Sequence, residues 1–229
     1  MIPKTRHMKT TKIHFQLAIL LVAVIGGCSG SDSPPAAAPE TVETTAVAAD
    51  AISPVLITEQ TAVDSDDPAI WINPEDPAKS LILGTDKGGE IYVFDLDGKI
   101  VPEKTVSGLG RTNNIDVAYG LQLGGETVDI AMSTDRGNNT LRAFRLPEMT
   151  PIDNGGIEAF AGQPPEKRLP MGLALYTRPS DGALFAFVSR KEGPSGAYLW
   201  QYRIEDDGSG AVKGTKVREF GSFRDDITM

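Results

Sequence analysis

The stretch LILGTDKGGEIYVFDL, residues 81–96, decides the fold, because it joins two apolar strands through a glycine-containing turn and ends the first strand in Lys87. The same arrangement recurs in IAMSTDRGNNTLRAFRL (130–146) and in FAFVSRKEGPSGAYLWQYRI (185–204), where Arg136 and Lys191 occupy the corresponding point. These basic residues lie 49 and 55 residues apart, a period typical of propellers and solenoids. The sequence therefore predicts one structural unit, present three times, with a cation at the same point of each.

The chain from residue 54 to residue 229 is predicted to be all-β. Short runs of apolar, β-branched and aromatic residues alternate with turns such as DKGGE, DRGNN and EDDGSG, and no window shows a helical stripe. The segments KIVPEKTVSG (99–108) and VKGTKVREFG (212–221) are candidates for outer strands. Units of about 40 to 55 residues with about four strands are typical of propeller blades. We predict a β-propeller of four-stranded blades, of which about three are present.

Three blades do not close a propeller, which typically has about four to eight. We therefore expect a partial propeller and a fragment of a longer protein. A small open β-sandwich is the alternative.

The first 27 residues are predicted to be an export signal, because four basic residues precede an apolar core from Ile13 to Ile25. The letters IGGC, ending at Cys28, resemble a bacterial lipobox, in which the cysteine becomes lipidated. The alternative is a plain signal peptide cut near Gly27. Ser29 resembles the sorting pattern for the outer membrane, so we expect an exported, lipid-anchored protein in the outer membrane, in the periplasm or at the cell surface.

Residues 28–53 read CSGSDSPPAAAPETVETTAVAADAIS. Small residues, proline and scattered acids bury too little apolar area to offset the entropy of ordering. We predict a disordered tether between the lipid anchor and the folded domain at 54–229. The lipid anchor is the only membrane contact that we expect.

The charge and the residue types exclude several functions. The export signal holds four of the 22 basic residues and none of the 31 acidic ones, so the mature chain carries 18 against 31, a net charge of −13. Such a charge argues against nucleic acid as a partner. Both histidines, His7 and His14, lie in the signal, so histidine-dependent nucleophile systems and histidine–cysteine zinc sites are excluded. Hydrolysis would then depend on carboxylates, basic residues and an oxygen-bound metal, for which calcium fits best.

Acidic and amide side chains at the starts of two inner strands predict that metal site. Asp67 and Asp116 each lie 20 residues before the basic residue of their unit, with Asp66 and Asn114 close beside them. Oxygen ligands at this spacing suit calcium, which accepts irregular coordination. The alternative is that these residues cap turns.

Several segments, read in order, resemble the N-terminal half of a β-propeller phytase: SDDPAIWINPEDPAKS (65–80), GRTNNIDV (110–117), DRGNNTLRAFRL (135–146) and GALFAFVSRKEG (182–193). The resemblance covers about residues 60 to 222. It implies a six-bladed propeller that needs calcium and removes phosphate from phytate, myo-inositol hexakisphosphate, outside the cell. The predicted function is therefore that of a calcium-dependent phosphomonoesterase of the 3-phytase kind, monomeric at full length. The alternative is a non-catalytic propeller lipoprotein that binds a partner or a phosphorylated ligand.

The resemblance also implies roles for the basic residues. Lys87 and Arg136 are similar to the phosphate-binding lysine and arginine of the family, and Lys191, with Arg190 beside it, is similar to the third basic position. A lysine holds phosphate as a point charge, whereas an arginine grips it through two parallel N–H bonds. Solvated charges at strand ends are the alternative.

Two positions depart from the family pattern. Gly88 and Met171 stand where relatives carry a lysine and a tyrosine. No catalytic residue is assigned, because the resemblance places the remaining calcium ligands and the water-activating acids in later blades. We therefore expect the chain ending at Met229 to be a poor hydrolase by itself.

Overall fold

The alternating apolar strands and glycine turns form three successive antiparallel sheets in this computed structural model, which describes residues 51–193, 195–222 and 227–228. The first blade consists of β1 (Ser65–Trp71), β2 (Leu81–Asp86) and β3 (Glu90–Phe94). The second consists of β4 (Thr112–Leu123), β5 (Glu126–Asp135), β6 (Thr140–Arg145) and β7 (Thr150–Pro151), with β8 (Ile157–Glu158) also paired to β6. The third contains β9 (Pro170–Thr177), β10 (Leu184–Arg190), β12 (Leu199–Asp206) and β13 (Val212–Phe220), and β11 (Glu192–Gly193) pairs separately with β14 (Ile227–Thr228).

The first strand of each blade is the inner strand. β4 packs against β1 on one side and against β9 on the other, so the three inner strands are consecutive neighbours. Within each blade the following strands continue outward in chain order. This arrangement confirms an all-β fold of the partial propeller kind.

The middle blade is buried on both faces. Along β5, Ile130 and Met132 pack into the core shared with the third blade, whereas Ala131 packs into the core shared with the first. On β6, Leu141 and Phe144 divide between the same two cores. Because successive side chains of a strand point to opposite faces, a sheet between two others needs apolar residues on both faces, and the central part of β5 supplies them at Ile130, Ala131 and Met132.

The prediction of four strands per blade is met by the third blade, where the segment 212–221 contains the outer strand β13 (Val212–Phe220). It is wrong for the first blade, whose segment 99–108 contributes only the isolated bridges Ile91–Val106 and Phe94–Ile100. A 3₁₀ turn at Pro102–Lys104 interrupts this segment, and Pro102 has no N–H group to donate to a ladder.

Helical structure in the described part of the chain is limited to the 3₁₀ turns Pro77–Lys79, Pro102–Lys104 and Pro165–Lys167. No helix among the described residues is long and apolar enough to cross a membrane. The chain divides into the units Met1–Ala51 and Ile52–Met229, and the three blades belong to the second. The predicted export signal, Cys28 and nearly all of the tether lie outside the described residues.

Candidate functional site

The three predicted basic residues occupy equivalent positions at one end of the blades. The backbone N–H of Lys87 donates to Asp64 O at 3.0 Å, that of Arg136 to Arg111 O at 2.8 Å, and that of Lys191 to Leu169 O at 2.8 Å. In each blade the second strand therefore ends opposite the residue that leads into the inner strand. We call this end of the blades the cationic end.

A β-bulge interrupts each inner strand next to the cationic end. Two residues bulge between paired positions in all three blades: Asp66–Asp67 in β1, Asn113–Asn114 in β4 and Met171–Gly172 in β9. A bulge of this kind redirects side chains and often lies beside a functional site. Its recurrence brings the predicted acidic residues of β1 to the same end as the cations.

A hydroxyl group of the second strand fixes each bulge. Thr85 Oγ1, Thr134 Oγ1 and Ser189 Oγ accept hydrogen bonds from the second bulged N–H of their own blades, at 3.0, 3.0 and 2.9 Å. Two of these hydroxyls also donate to the bulge of the following blade, Thr85 to Asn113 O and Thr134 to Met171 O. The backbone geometry of one bulge is thus tied to that of the next.

Two buried carboxylates hold the loops that lead into β1 and β4. Asp86 accepts from the N–H groups of Val63, Asp64 and Gly88. Burial by itself would raise the pKa of Asp86, but these N–H donors outweigh it and hold the pKa below its usual range.

Asp135 holds the corresponding loop of the second blade, where it accepts hydrogen bonds from the N–H groups of Gly110, Arg111 and Asn138. Both carboxylates stabilise the loop that precedes the inner strand of their blade. Because their oxygens already accept backbone N–H groups, neither Asp86 nor Asp135 is a good candidate for a metal ligand.

Arg190 occupies the position of Asp86 and Asp135 in the third blade, since it pairs with Pro170 as they pair with Ser65 and Thr112. Its side chain is buried, with 1% exposed. The guanidinium donates to Lys167 O and Ala197 O, and it lies 4.3 Å from the centre of the Phe160 ring. Burial lowers its pKa. This geometry supports a structural role for Arg190 rather than the phosphate-binding role inferred from its neighbour Lys191.

Lys87 lies between two carboxylates. Its Nζ is 2.9 Å from Asp64 Oδ2 and 3.4 Å from Asp66 Oδ1. The hydrogen bond with Asp64 raises the pKa of Lys87. Lys87 is therefore fully protonated at neutral pH, but an anion that approaches it must compete with Asp64.

Arg136 has different surroundings. Its Nη1 donates to the thioether sulfur of Met171 at 3.0 Å, and thioether sulfur is a weak acceptor. Burial lowers the pKa of Arg136, the nearby Arg111 lowers it further, and Asp66 opposes both. The departure from the family tyrosine at Met171 therefore lies in direct contact with this guanidinium.

The second departure, Gly88, lies in crowded surroundings. A Cβ atom built on Gly88 would come within 2.8 Å of Glu90 Oε2 and Val63 Cγ2, and within 2.9 Å of Asp86 Oδ1. A lysine side chain at this position would require these neighbours to move.

The predicted calcium ligands fit a metal only in part. Asp116 does not fit, because its two oxygens accept from the N–H groups of Val117 and Leu175 at 2.8 and 2.7 Å. Its assumed equivalence to Asp67 is also wrong: the register aligns Asp67 with Asn114. β4 contains a second irregularity between Ala118 and Leu121, so equal spacing to the basic residue does not mean an equal place in the strand.

Asp66 and Asp67 retain features of an oxygen ligand set. Asp67 Oδ2 accepts from Ile115 N at 3.0 Å, and Asp66 Oδ2 accepts from Asn113 Nδ2 at 2.8 Å. The other amide atom, Asn113 Oδ1, is buried and has no partner among the described residues, as expected of an oxygen placed to meet a cation or water. Within the described ranges, no cluster of three or more acidic residues, histidines or cysteines is arranged to hold a metal.

Two residues of the cationic end were missed in the sequence. Asn113 is fully buried beside Asp66, whereas the residue predicted from the sequence was its neighbour Asn114. Arg111 lies beside Arg136, whose backbone N–H it accepts. Aligning GRTNN (110–114) with VDSDD (63–67) would have placed Arg111 at the position equivalent to Asp64.

Repeated antiparallel blades with basic residues at one end define this chain as a partial β-propeller with a candidate anion site. The Phytase family profile matches residues 11–225, and the chain belongs to the phytase family. The 3-phytase of Bacillus subtilis (strain 168) is 35% identical over 162 residues, which cover 68% of this chain and 40% of that protein. The crystal structure of the computationally designed Ika4 protein has 11% identity and a TM-score of 0.48, covering 78% of this chain and 85% of that one.

The chain thus spans 40% of the length of the Bacillus relative.

Proposed function

We propose that this chain supplies the phosphate-binding part of a calcium-dependent phosphomonoesterase that removes phosphate from phytate. The observation that carries the proposal is the equivalence of Lys87, Arg136 and Lys191 at one end of three adjacent blades. Membership of the phytase family and the similarity to a protein named 3-phytase support the choice of substrate. We further propose that residues outside the described ranges complete the site.

The basic residues bind and orient the substrate. Arg136 would grip one phosphate through parallel N–H bonds, displacing the weak contact with Met171. Lys87 and Lys191, on the flanking blades, would hold the same phosphate or its neighbours on the inositol ring as point charges. Binding several phosphates together fixes the orientation of the scissile one before reaction.

Asp66 and Asp67 are the residues of this chain that we propose as calcium ligands. Calcium, when bound, neutralises phosphate charge and lowers the pKa of a coordinated water. Asp66 already lies close to Lys87 and accepts a hydrogen bond from Asn113. It would keep these two contacts while also binding the cation. The bulge that carries both carboxylates is held in place by Thr85 and Ile115.

We propose that the mature protein is exported and held at the outer membrane through a lipid on Cys28, with residues 28–53 as a tether and 54–229 as the propeller domain. Its net charge of −13, from 18 basic and 31 acidic residues, supports a small phosphorylated molecule rather than nucleic acid as the partner. At full length we propose a monomer.

A second candidate function is a non-catalytic propeller that binds a phosphorylated ligand. The lack of a complete acidic metal cluster in the described part of the chain favours it. The two functions differ in one measurable property, because only the enzyme releases phosphate.

The test is phosphate release from phytate by the complete protein, before and after treatment with a chelator. We expect activity with calcium, loss on chelation and recovery when calcium is restored. Arg136→Gln should reduce kcat/KM by about 100-fold or more, because a charged contact to the reacting phosphate is lost. Arg145→Gln, which removes an arginine paired with Glu126 at 2.7 Å, is the matched control. Phosphate release that is indifferent to chelation and to Arg136→Gln would refute the proposed function.

A further inference from the structure

The residue that leads into the inner strand differs sharply in charge among the three blades. This position is Asp64 in the first blade, Arg111 in the second and Leu169 in the third, and each accepts the backbone N–H of its blade's basic residue. In the first blade the two side chains form an ion pair, with Lys87 Nζ 2.9 Å from Asp64 Oδ2. In the second blade the same backbone arrangement places Arg111 beside Arg136, close enough for the charge of Arg111 to act on the Arg136 guanidinium.

Neither of these guanidinium groups has a carboxylate partner among the described residues. Within the part of the chain that the structure describes, the hydrogen bond of the Arg136 side chain goes to the sulfur of Met171 at 3.0 Å. Arg111 Nε is buried and has no hydrogen-bond partner within the described ranges. A buried donor without an acceptor is costly, and two neighbouring like charges add to that cost. A bound anion would satisfy both.

The backbone holds the two arginines in place. The turn between β5 and β6, which contains Gly137, packs tightly against the loop before β4. A Cβ atom on Gly137 would come within 2.6 Å of Gly110 C and 2.9 Å of Arg111 N. Asp135 fixes the same loop by accepting from Gly110 N and Arg111 N. The backbone from which both arginine side chains extend is therefore fixed before any ligand arrives, which reduces the entropy lost on binding.

The electrostatics agree with this geometry. Burial lowers the pKa of Arg136, and the charge of Arg111 lowers it further. Asp66 acts in the opposite direction but does not offset the two. A doubly charged phosphate group between the arginines would reverse the local repulsion.

We infer that Arg111 and Arg136 together form a paired-guanidinium site for one dianionic phosphate group, so that Arg111 is a further substrate-binding residue. This inference rests on the proposed function. The ligand is a phosphomonoester group or free inorganic phosphate, which offer the same dianionic oxygens. Each arginine presents a planar set of N–H donors that matches these oxygens.

The experiment is calorimetric titration of the chain with inorganic phosphate and, separately, with phytate, at low ionic strength and without calcium. Arg111→Gln should weaken phosphate binding about tenfold or more, the effect of losing a charge-assisted hydrogen bond. The matched control Arg145→Gln should change Kd by less than about twofold. Binding of phytate but not of inorganic phosphate would identify the ester group as the ligand, provided that Arg111→Gln weakens it.

Thermal unfolding without ligand separates the binding role of Arg111 from a purely structural one. If Arg111 serves phosphate binding, the unfolding midpoint of Arg111→Gln should equal or exceed that of the unsubstituted chain, because the repulsion with Arg136 is removed. If Arg111 is purely structural, the substitution should lower the midpoint. Arg111→Lys keeps the charge but loses the planar donors, and we expect it to bind phosphate about threefold more weakly than the unsubstituted chain. Destabilisation by Arg111→Gln together with unchanged phosphate affinity of Arg111→Lys would overturn the inference.

Hydrolysis is measured in parallel on the complete protein, so that the two proposals fail separately. Phosphate release with calcium, combined with unchanged phosphate binding by Arg111→Gln, overturns the paired site and leaves the enzyme. Arg111-dependent binding without any phosphate release supports the paired site and refutes the enzyme. No phosphate or phytate binding by the unsubstituted chain overturns the paired site.

Discussion

Replacing Thr85 with valine tests whether the hydroxyl groups between the blades hold the cationic end together. Valine has nearly the same shape but cannot donate or accept a hydrogen bond. Thr85 Oγ1 accepts from Asp67 N at 3.0 Å and donates to Asn113 O in the next blade. The substitution therefore removes the partner of one N–H and one C=O group in two different blades.

The magnitude follows from the burial of these two groups. Asn113 is fully buried, so its carbonyl loses its donor with little access to water. Asp67 is half-buried, so water can partly replace the hydroxyl at its N–H. A buried polar group left without a partner costs about 1–3 kcal/mol. We expect Thr85→Val to lower the free energy of unfolding by about 2–4 kcal/mol, with the larger share from Asn113.

Urea denaturation measures this change as a shift in midpoint at unchanged slope. Thr85→Ser keeps the hydroxyl and should cost less than about 1 kcal/mol. Thr215→Val, at an exposed position of β13, is the matched control and should stay within about 0.5 kcal/mol of the unsubstituted chain. Equal losses for Thr85→Val and Thr85→Ser would refute the reasoning, because the cost would then come from packing rather than from the hydroxyl.

Three further predictions concern the charges around this end. Asp86→Asn should make the stability of the fold less sensitive to acid. The pKa of Asp86 is lowered in the folded chain, so its carboxylate stabilises the fold above the unfolded pKa of about 4, and this stabilisation is lost as the pH falls through the folded pKa. Urea midpoints at about pH 7 and pH 3 should therefore differ less in this variant, and an equal difference would contradict it. Asp64→Asn should return the raised pKa of Lys87 toward its ordinary value, followed by NMR, and tighten phosphate binding about threefold, because the competing carboxylate is gone; weaker binding would show that Asp64 orients Lys87 for the ligand. Arg190→Ala should cost about 2–4 kcal/mol of unfolding free energy in the same urea assay, because it leaves a cavity beside Phe160, and a loss below about 0.5 kcal/mol would argue against its structural role.

The sequence predicted the equivalence of Lys87, Arg136 and Lys191 because their positions depend on local features, namely the end of an apolar strand and the turn that follows. It failed at Arg190, although Asp86 and Asp135 immediately precede the basic residues of the other blades. Strand alternation places such neighbours on opposite sides of the sheet, so adjacency to Lys191 carried no information about where the Arg190 side chain lies.

The bulges could not be read from residue spacing. A one-residue bulge shifts every later side chain of the strand to the other face, and β4 contains two irregularities. Counting from Arg136 therefore selected Asp116, which accepts backbone N–H groups, instead of the bulged pair that includes Asn113. Hydrogen bonds between blades decide these positions, and their partners lie tens of residues apart along the chain.

The sequence by itself determined the all-β fold, the repeated blade and the cation at the end of each second strand, because periodicity and turn chemistry act over a few neighbouring residues. Only the tertiary structure decided which charges meet. It pairs Lys87 with Asp64, buries Arg190 beside Phe160 and brings Arg111 next to Arg136. These contacts join separate segments, and the energy of a charge depends on its partners and its burial in the folded chain.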